Sequence, residues 1–247
     1  MKNVIRALAA ASAALLIASL SSSPAQAATD LLPDLRTRRL TDFRIENASN
    51  GEKRLRFTTI IANAGPGPFE VRMDRPNTST ARMKVIQRIY NTDGGWRWVQ
   101  APGTHGFWGG DGHNHWHLSR LQRFEIRRLN SDGTEGPLAG SGAKVGFCFY
   151  DNTTYNLSLP NAPQTPYYKG CGTTTSLRVK TGISVGWADK YAWNLNYQWI
   201  KINGLPDGNY RVRVLTDPQN WFIETSNTNN NTFSDIRITG NTVTKLG

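Results

Sequence analysis

Three of the chain's four histidines, His113, His115 and His117, alternate along five residues, and the fourth, His105, lies eight residues before them. In an extended strand, residues i, i+2 and i+4 point to one face. Three imidazoles on one face favour a d-block metal ion, zinc or copper, and spacing alone does not choose between these two. The alternatives are a polar sheet face and a structural zinc site. Because residues i and i+4 of a flat strand lie about 13 Å apart, we expect a bend or bulge here.

The N-terminal segment 1–27 has the pattern of a secretory signal peptide. Lys2 and Arg6 provide a basic start, the run 7–20 is apolar apart from two serines, and Ala-Gln-Ala at 25–27 provides a cleavage site. The apolar run is shorter than the roughly 20 residues that cross a bilayer. We therefore expect cleavage after residue 27 and a soluble, secreted, extracellular protein without a membrane span.

Length and charge limit the domain count and the partners. Removing 27 residues from 247 leaves 220, which favours one large β domain over 28–247. The formal net charge of +11 falls to +9 without the two basic residues of the signal segment. A basic exported protein is expected to contact an anionic cell-wall polymer rather than nucleic acid. Charge that serves solubility alone is the favoured alternative, because the chain has no dense basic run.

The chain has two cysteines, Cys148 and Cys171. In an oxidising compartment an isolated pair is expected to form one disulfide, which would stabilise the fold by roughly 3 kcal/mol in the chain-entropy model. Two thiolate metal ligands are the less favoured alternative.

Short segments of alternating apolar and polar residues, separated by turn residues, predict an all-β fold. Residues 210–216 alternate clearly, and a turn-forming Asn-Ala-Gly-Pro-Gly-Pro run occupies 63–68. The lead-in 29–40 does not read as a helix, and 160–180 reads as a long loop. The pattern favours a single-domain β-sandwich-like fold with long loops and little helix, with a barrel as the alternative. The predicted strands are 54–61, 85–90, 121–129, 145–150, 198–202, 210–216, 221–224 and 233–239.

Beyond the histidines, an ordered set of motifs resembles the catalytic domain of the lysyl oxidase family over about 32–238. Lys144 precedes Phe147-Cys148, and Tyr191 follows Asp189 at a spacing of two. The remaining matches are Gly182-Ile183-Ser184, Gly186, Gln198-Trp199-Ile200, Pro206, Gly208-Asn209-Tyr210, Asp217-Pro218 and Asn229-Asn230.

The resemblance implies a copper-dependent amine oxidase that converts primary amines, including peptidyl lysine, to aldehydes. Such an enzyme consumes O2 and releases hydrogen peroxide and ammonia. By similarity, His113, His115 and His117 bind copper, and Lys144 and Tyr191 form the lysine tyrosylquinone cofactor. Copper suits the oxidation of a phenol, whereas zinc has no accessible redox change.

Several residues near the motifs stay open. Animal members have a histidine where this chain has Gly110, and they have more cysteines. Asp111 and Asp189 are the candidate general bases, and neither is preferred. His105 is expected to be an extra ligand or a surface residue, and Trp116 is expected to pack in the core on the face opposite the histidines.

A calcium site is a further expectation from the resemblance. Asp34, Glu224, Asn229 and Asn230 match positions that bind calcium in some family members, and oxygen ligands suit that ion. Ser226 stands where those members have an acid, which should weaken binding. An asparagine-rich turn is an equal alternative.

A different class of function also fits part of the sequence, namely a secreted β-sandwich binding or adhesion module with a structural metal and no oxidase activity. Without the resemblance, Lys144 is a solvated strand residue and Tyr191 a half-buried aromatic residue. The crosslink requires the Lys144 amine to lie within about 10 Å, three extended residues, of the Tyr191 ring. The substrate stays open among small amines, peptidyl lysine and cell-wall amines, because a +9 protein repels cations at long range.

Overall fold

The computed structural model describes residues 27–109, 112–142 and 144–246. Every regular element in these ranges is a β-strand, which confirms the all-β prediction. The described part of the chain contains no helix with the length and apolarity that a bilayer crossing needs. Residues 1–26 of the expected signal peptide, Gly110 and the candidate base Asp111 lie outside the described residues.

The strands of the described residues follow one another along the chain. They are β1 (Asp30–Leu31), β2 (Leu35–Thr37), β3 (Thr41–Asn47), β4 (Lys53–Asn63), β5 (Phe69–Asp74), β6 (Arg82–Asn91), β7 (Trp96–Gln100), β8 (Gly106–Trp108), β9 (Trp116–Ser119), β10 (Gln122–Leu129), β11 (Glu135–Ser141), β12 (Gly146–Phe147), β13 (Thr153–Thr154), β14 (Arg178–Ile183), β15 (Trp187–Tyr191), β16 (Trp199–Lys201), β17 (Gly208–Thr216), β18 (Thr232–Thr239) and β19 (Thr242–Leu246).

These strands form three antiparallel sheets. The eight-stranded sheet has the order β12-β9-β8-β6-β5-β14, with β1 and β7 also paired to β6. The five-stranded sheet has the order β11-β10-β17-β18-β19. The six-stranded sheet has the order β13-β15-β4-β16, with β2 and β3 also paired to β4. The strands β9, β12 and β15 hold the residues of chemical interest.

Two hydrophobic cores lie between these sheets, as the predicted sandwich-like packing requires. The first core takes side chains from the eight-stranded and six-stranded sheets, including Phe69 and Ile61. The second core takes side chains from the six-stranded and five-stranded sheets, including Phe57 and Val212. The eleven-residue strand β4 contributes to both cores, because its residues are buried on both faces.

The predicted strand 221–224 is wrong, because its backbone donors bind side chains instead of a neighbouring strand. The first two N–H groups of the segment donate to the two carboxylate oxygens of Asp217, each at 3.0 Å. The N–H of Ile223 donates to Gln87 Oε1 at 2.8 Å. Three of the four backbone N–H groups of the segment are therefore unavailable for pairing with a neighbouring strand.

Other predicted segments differ from the structure in extent. The predicted strand 145–150 is shortened to the two residues of β12. The lead-in 29–40 contains no helix, and it includes the short strands β1 and β2. The long loop extends to residue 177, and β14 begins at Arg178. Twelve strands of two to seven residues were not predicted, because short segments carry little alternation: β1, β2, β3, β5, β7, β8, β9, β11, β13, β14, β15 and β19.

Candidate metal site and lysine–tyrosine pair

The three histidines lie on a bend, which confirms the expected departure from a flat strand. The N–H of His115 donates to the carbonyl of His113 at 2.9 Å, and the carbonyl of His115 accepts from Gly109 N–H at 3.0 Å. The regular strand β9 begins only at Trp116. This local turn shortens the segment enough for the three rings to meet.

The three rings offer nitrogens at spacings that suit one metal ion. One ligand nitrogen from each ring lies within 4.8 Å of the others. His115 Nε2 and His117 Nε2 are 3.0 Å apart. Two nitrogens that each bind a metal at about 2.0–2.1 Å are about 3 Å apart. The donor set therefore fits a d-block metal, and nitrogen donors of this kind accept both zinc and copper.

Two glycines make room for the His117 ring. A Cβ on Gly109 would lie 2.4 Å from Cε1 of His117, and a Cβ on Gly146 would lie 2.8 Å from its Nδ1. Phe107 pairs with His117 across β8 and β9, and the two ring centroids are 5.5 Å apart. His117 is therefore tightly enclosed, whereas His113 and His115 are only partly buried.

His105 lies outside the group of three converging histidines. Its Nδ1 is 3.3 Å from Ser119 Oγ, and its ring packs near Phe107 with centroids 6.1 Å apart. Burial and the positive charges of Arg82 and Arg120 lower its pKa. The residue is therefore placed as a partly buried side chain beside the cluster.

Trp116 packs in the core, as expected, with 1% of its surface exposed. Its indole N–H donates to Thr173 carbonyl at 2.8 Å, and the Arg75 guanidinium lies 4.5 Å from its ring centroid. The backbone N–H of Trp116 donates to the carbonyl of Cys171 at 3.0 Å. These contacts fix the strand that begins at the histidines.

Lys144 and Tyr191 lie against each other inside the protein. The Lys144 Nζ is 4.9 Å from the Tyr191 ring centroid, inside the limit of about 10 Å required for a crosslink. Both residues are 6% exposed. The interpretation of Lys144 as a solvated strand residue is therefore wrong, because Lys144 is buried and precedes strand β12. The interpretation of Tyr191 as a half-buried ring is also wrong, because Tyr191 is buried.

The segment 144–148 connects this pair to the histidines. Gly146 lies against the His117 ring, Phe147 packs on the Tyr191 ring with centroids 5.4 Å apart, and the Tyr191 hydroxyl donates to the Cys148 carbonyl at 2.9 Å. Cys148 forms the predicted disulfide with Cys171, with a Cα–Cα distance of 5.8 Å. One covalently fixed segment thus touches both groups of residues.

Asp189 is fully buried beside Tyr191, two residues earlier on β15. Burial raises the pKa of the Tyr191 phenol well above its usual value, and the neighbouring Asp189 carboxyl raises it further. Burial also raises the pKa of Asp189 to about 8, although the hydrogen bond from Asn152 and the positive charge of Lys144 oppose this. The sequence offered Asp189 as one of two candidate bases, but nothing in it pointed to Asn152.

The four residues of the expected calcium site lie together, because the segment 224–230 packs beside Asp34 and Leu35. Asn229 Nδ2 donates to Asp34 at 2.9 Å, and Asn230 Nδ2 donates to Glu224 at 2.6 Å. Burial raises the pKa of Glu224 to about 7. The side-chain oxygens of both asparagines are buried and have no hydrogen-bond donor among the described residues. Ser226 bonds to the Thr228 hydroxyl instead, at 3.0 Å.

Fold and site together define an all-β protein with a three-histidine candidate metal site beside a buried lysine–tyrosine pair. The chain belongs to the lysyl oxidase family, whose model matches residues 77–246.

Human lysyl oxidase homolog 1 is 26% identical over 129 residues, which are 52% of this chain and 20% of that protein. Human protein-lysine 6-oxidase is 29% identical over 126 residues, 51% of this chain and 27% of that protein. Bovine lysyl oxidase homolog 4 is 25% identical over 182 residues, 73% of this chain and 18% of that protein. The matched region spans about a fifth to a quarter of the length of these relatives, whose names describe oxidases.

Proposed function

We propose that this protein is a copper-dependent amine oxidase whose cofactor, a lysine tyrosylquinone, forms from Lys144 and Tyr191. The observation that carries the proposal is the approach of the Lys144 Nζ to the Tyr191 ring at 4.9 Å. Lys144 is 6% exposed, which is uncommon for a lysine. Its position over a buried phenol, on a segment that touches a metal-binding histidine, supports covalent coupling of the two side chains.

The chain's own residues hold and orient the reacting groups. His113, His115 and His117 would hold the copper ion, and copper would supply the one-electron and dioxygen chemistry that oxidises a phenol. The Lys144 amine must be in its neutral form to add to an oxidised ring, because only then is the electron pair on nitrogen nucleophilic. The hydrogen bond from Tyr191 to the Cys148 carbonyl fixes the ring's orientation.

The proposed reaction converts a primary amine, dioxygen and water into an aldehyde, ammonia and hydrogen peroxide. Peptidyl lysine is the proposed substrate class, because one relative is named protein-lysine 6-oxidase. The formal charge of +11 falls to +9 when Lys2 and Arg6 are removed with the expected signal peptide, and this positive charge opposes the approach of cationic amines at long range. We therefore expect better turnover of a lysine flanked by acidic residues than of free lysine or a small diamine.

The experiment loads the protein with copper under air and then combines peptide mass mapping with a peroxide assay on a panel of amines. A crosslinked peptide that joins Lys144 to Tyr191, together with peroxide release, is expected. Tyr191→Phe should abolish both while the protein stays folded. Tyr167→Phe, which alters an exposed tyrosine, is the matched control and should change neither.

The alternative proposal is a secreted binding or adhesion module with a structural metal and no oxidase activity. The sandwich-like packing supports it, since such a fold needs neither Lys144 nor Tyr191. This alternative predicts metal binding without a crosslink and without peroxide.

Calcium binding at Asp34, Glu224, Asn229 and Asn230 is a separate proposal. The buried asparagine oxygens without donors support it, because oxygen atoms of this kind suit calcium, and Asp34 and Glu224 would supply the carboxylate ligands. Calorimetric titration of the copper-loaded protein with calcium should release or absorb heat. An Asn230→Ala variant should lose this signal, and a flat titration of the parent protein would leave the asparagine-rich turn as the explanation.

Export of the protein is also proposed, with cleavage after Ala27. Residues 1–27 have the charge and apolar pattern of a signal peptide. N-terminal sequencing of protein recovered from the culture medium should begin at Ala28. Retention of an uncleaved chain in the cells would contradict this proposal.

An anionic cell-wall polymer is proposed as a partner for the outer face of β5, β6, β7 and β14, which we call the basic aromatic face. Register places Arg72, Arg88 and Trp98 on this face, where the two guanidinium groups stack on tryptophan rings. Trp96 remains 47% exposed. Five cations and two acids share the face: Arg72, Lys84, Arg88, Arg178, Lys180, Glu70 and Asp74.

Binding to polygalacturonate at two salt concentrations tests this surface. A Lys84→Glu/Lys180→Glu variant should bind more weakly than a Lys201→Glu/Lys245→Glu variant of identical net charge. Equal binding of the two variants would assign the attraction to overall charge alone.

A further inference from the structure

We propose that Asp189 is the proton acceptor for cofactor formation and takes the proton that Lys144 must lose before its amine can add to the oxidised Tyr191 ring. This inference rests on the proposed function and adds a residue to its chemistry. The N–H bond of the Lys144 ammonium breaks, its electron pair stays on nitrogen, and an O–H bond forms on the Asp189 carboxylate. The oxidant of the ring is dioxygen, as in the proposed function.

The position of Asp189 places it at the reacting groups. Asp189 and Tyr191 are two residues apart on β15 and so point to the same face. The Lys144 Nζ lies 4.9 Å from the centroid of the Tyr191 ring, and the positive charge of Lys144 lowers the pKa of Asp189. Asp189 is 0% exposed, so solvent does not compete for its proton.

The neighbouring Asn152 has its amide orientation fixed by the backbone. Asn152 Oδ1 accepts from Lys190 N–H at 2.7 Å, and its Nδ2 lies 3.2 Å from the Lys190 carbonyl. The Nδ2 group must therefore face Asp189, and it donates to Asp189 Oδ1 at 2.6 Å. The other carboxylate oxygen, Oδ2, has no hydrogen bond from any described residue.

Asp151 is a second buried carboxylate of the protein, and it differs from Asp189 in the number of hydrogen bonds that it accepts. It is 5% exposed and accepts four hydrogen bonds, from three backbone N–H groups and the Ser184 hydroxyl. Asp189 is more deeply buried and accepts only one clear donor bond. A buried carboxylate with few donors binds a proton readily, because its charged form is poorly compensated.

The raised pKa of Asp189 suits a residue that accepts a proton from Lys144. The pKa of Asp189 is raised to about 8 by burial, and general bases work best when their pKa lies near the operating pH. A carboxylate with an ordinary pKa near 4 would accept a lysine proton far less readily. Neutralising both members of the buried lysine–aspartate pair by transfer of one proton leaves the amine nucleophilic.

The test compares Asp189→Asn with the parent protein, both loaded with copper under air. Copper content, far-ultraviolet circular dichroism and the rate of crosslink formation are measured between pH 6 and pH 9, the last by peptide mass mapping. The variant is expected to bind copper normally and to crosslink at least about 100-fold more slowly. The parent rate is expected to rise with pH through about 8, the pKa of Asp189, and the variant should lose this inflection. Asp189→Glu, which restores a carboxylate, should recover part of the rate and the inflection.

Each outcome has a separate meaning. Equal crosslinking rates in the parent and Asp189→Asn would overturn the inference and leave the proposed function intact. No crosslink in the parent protein would overturn the proposed function and the inference together. If Asp189→Asn fails to fold, Asp189→Glu and the parent pH profile decide, and a parent rate that is flat between pH 6 and pH 9 would overturn the inference.

Discussion

Replacing Asp189 by asparagine should make the metal-free protein more stable, by an amount that increases with pH. The folded-state pKa of Asp189 is raised from 3.8 to about 8. A carboxyl group with a raised folded-state pKa contributes its full stability below the unfolded pKa, and this contribution is lost as pH rises through the folded pKa. Four pKa units correspond to an upper bound of roughly 5 kcal/mol, of which about 3 kcal/mol is lost between pH 5 and pH 7. Asparagine does not titrate, so the variant escapes this loss.

The assay is urea unfolding at pH 5, 6 and 7 in the presence of a chelator. The stability difference between Asp189→Asn and the parent protein should grow by about 3 kcal/mol across this range, or roughly 6–12 °C in Tm for a protein of this size. Histidine titration is common to both proteins and cancels in the difference. Asp93→Asn, in an exposed turn, measures the effect of removing one surface charge. Parallel pH profiles for Asp189→Asn and the parent would refute the reasoning about its burial.

Three further perturbations test the site and the fold. His115→Ala should weaken copper binding by more than the roughly tenfold to 100-fold that is lost when a hydrogen-bond partner of a metal ligand is removed. His105→Ala should leave the copper affinity nearly unchanged. Competition with a chelator measures both affinities. Cys171→Ser should lower the free energy of unfolding by about 3–4 kcal/mol in the chain-entropy model, and an unchanged urea midpoint would contradict the stabilising role of the bridge. Gly182→Ala should cost about 1–3 kcal/mol, because its Cβ would lie 2.2 Å from the Phe69 carbonyl oxygen; a midpoint equal to that of the parent would show that β14 can shift.

The sequence predicted the longer strands well, because their alternation is strong. The predicted strand 54–61 lies inside β4, and 210–216 lies inside β17. The segment 221–224 has a similar apolar character, but Asp217 captures its backbone donors. These hydrogen bonds depend on the folded position of the Asp217 carboxylate, which the alternation of apolar and polar residues does not indicate.

The histidine bend was predictable because three rings at a spacing of two cannot converge from a flat strand. The approach of Lys144 to Tyr191 was not derivable from spacing, since 47 residues separate them along the chain. Only the family resemblance pointed to the pair. No sequence pattern pointed to Asn152, because its hydrogen bond to Asp189 depends on strand β15 lying beside it.

The disulfide has a consequence for the order of maturation. The carbonyl of Cys148 receives the Tyr191 hydroxyl, and the carbonyl of Cys171 receives the backbone N–H between two of the histidines. Closing the bridge therefore sets the tyrosine and the metal ligands in one step. Since disulfides form in oxidising compartments, we expect the newly made chain to stay catalytically silent in a reducing cytoplasm. Under the proposed oxidase function and export, peroxide production would therefore begin only outside the cell that made the protein.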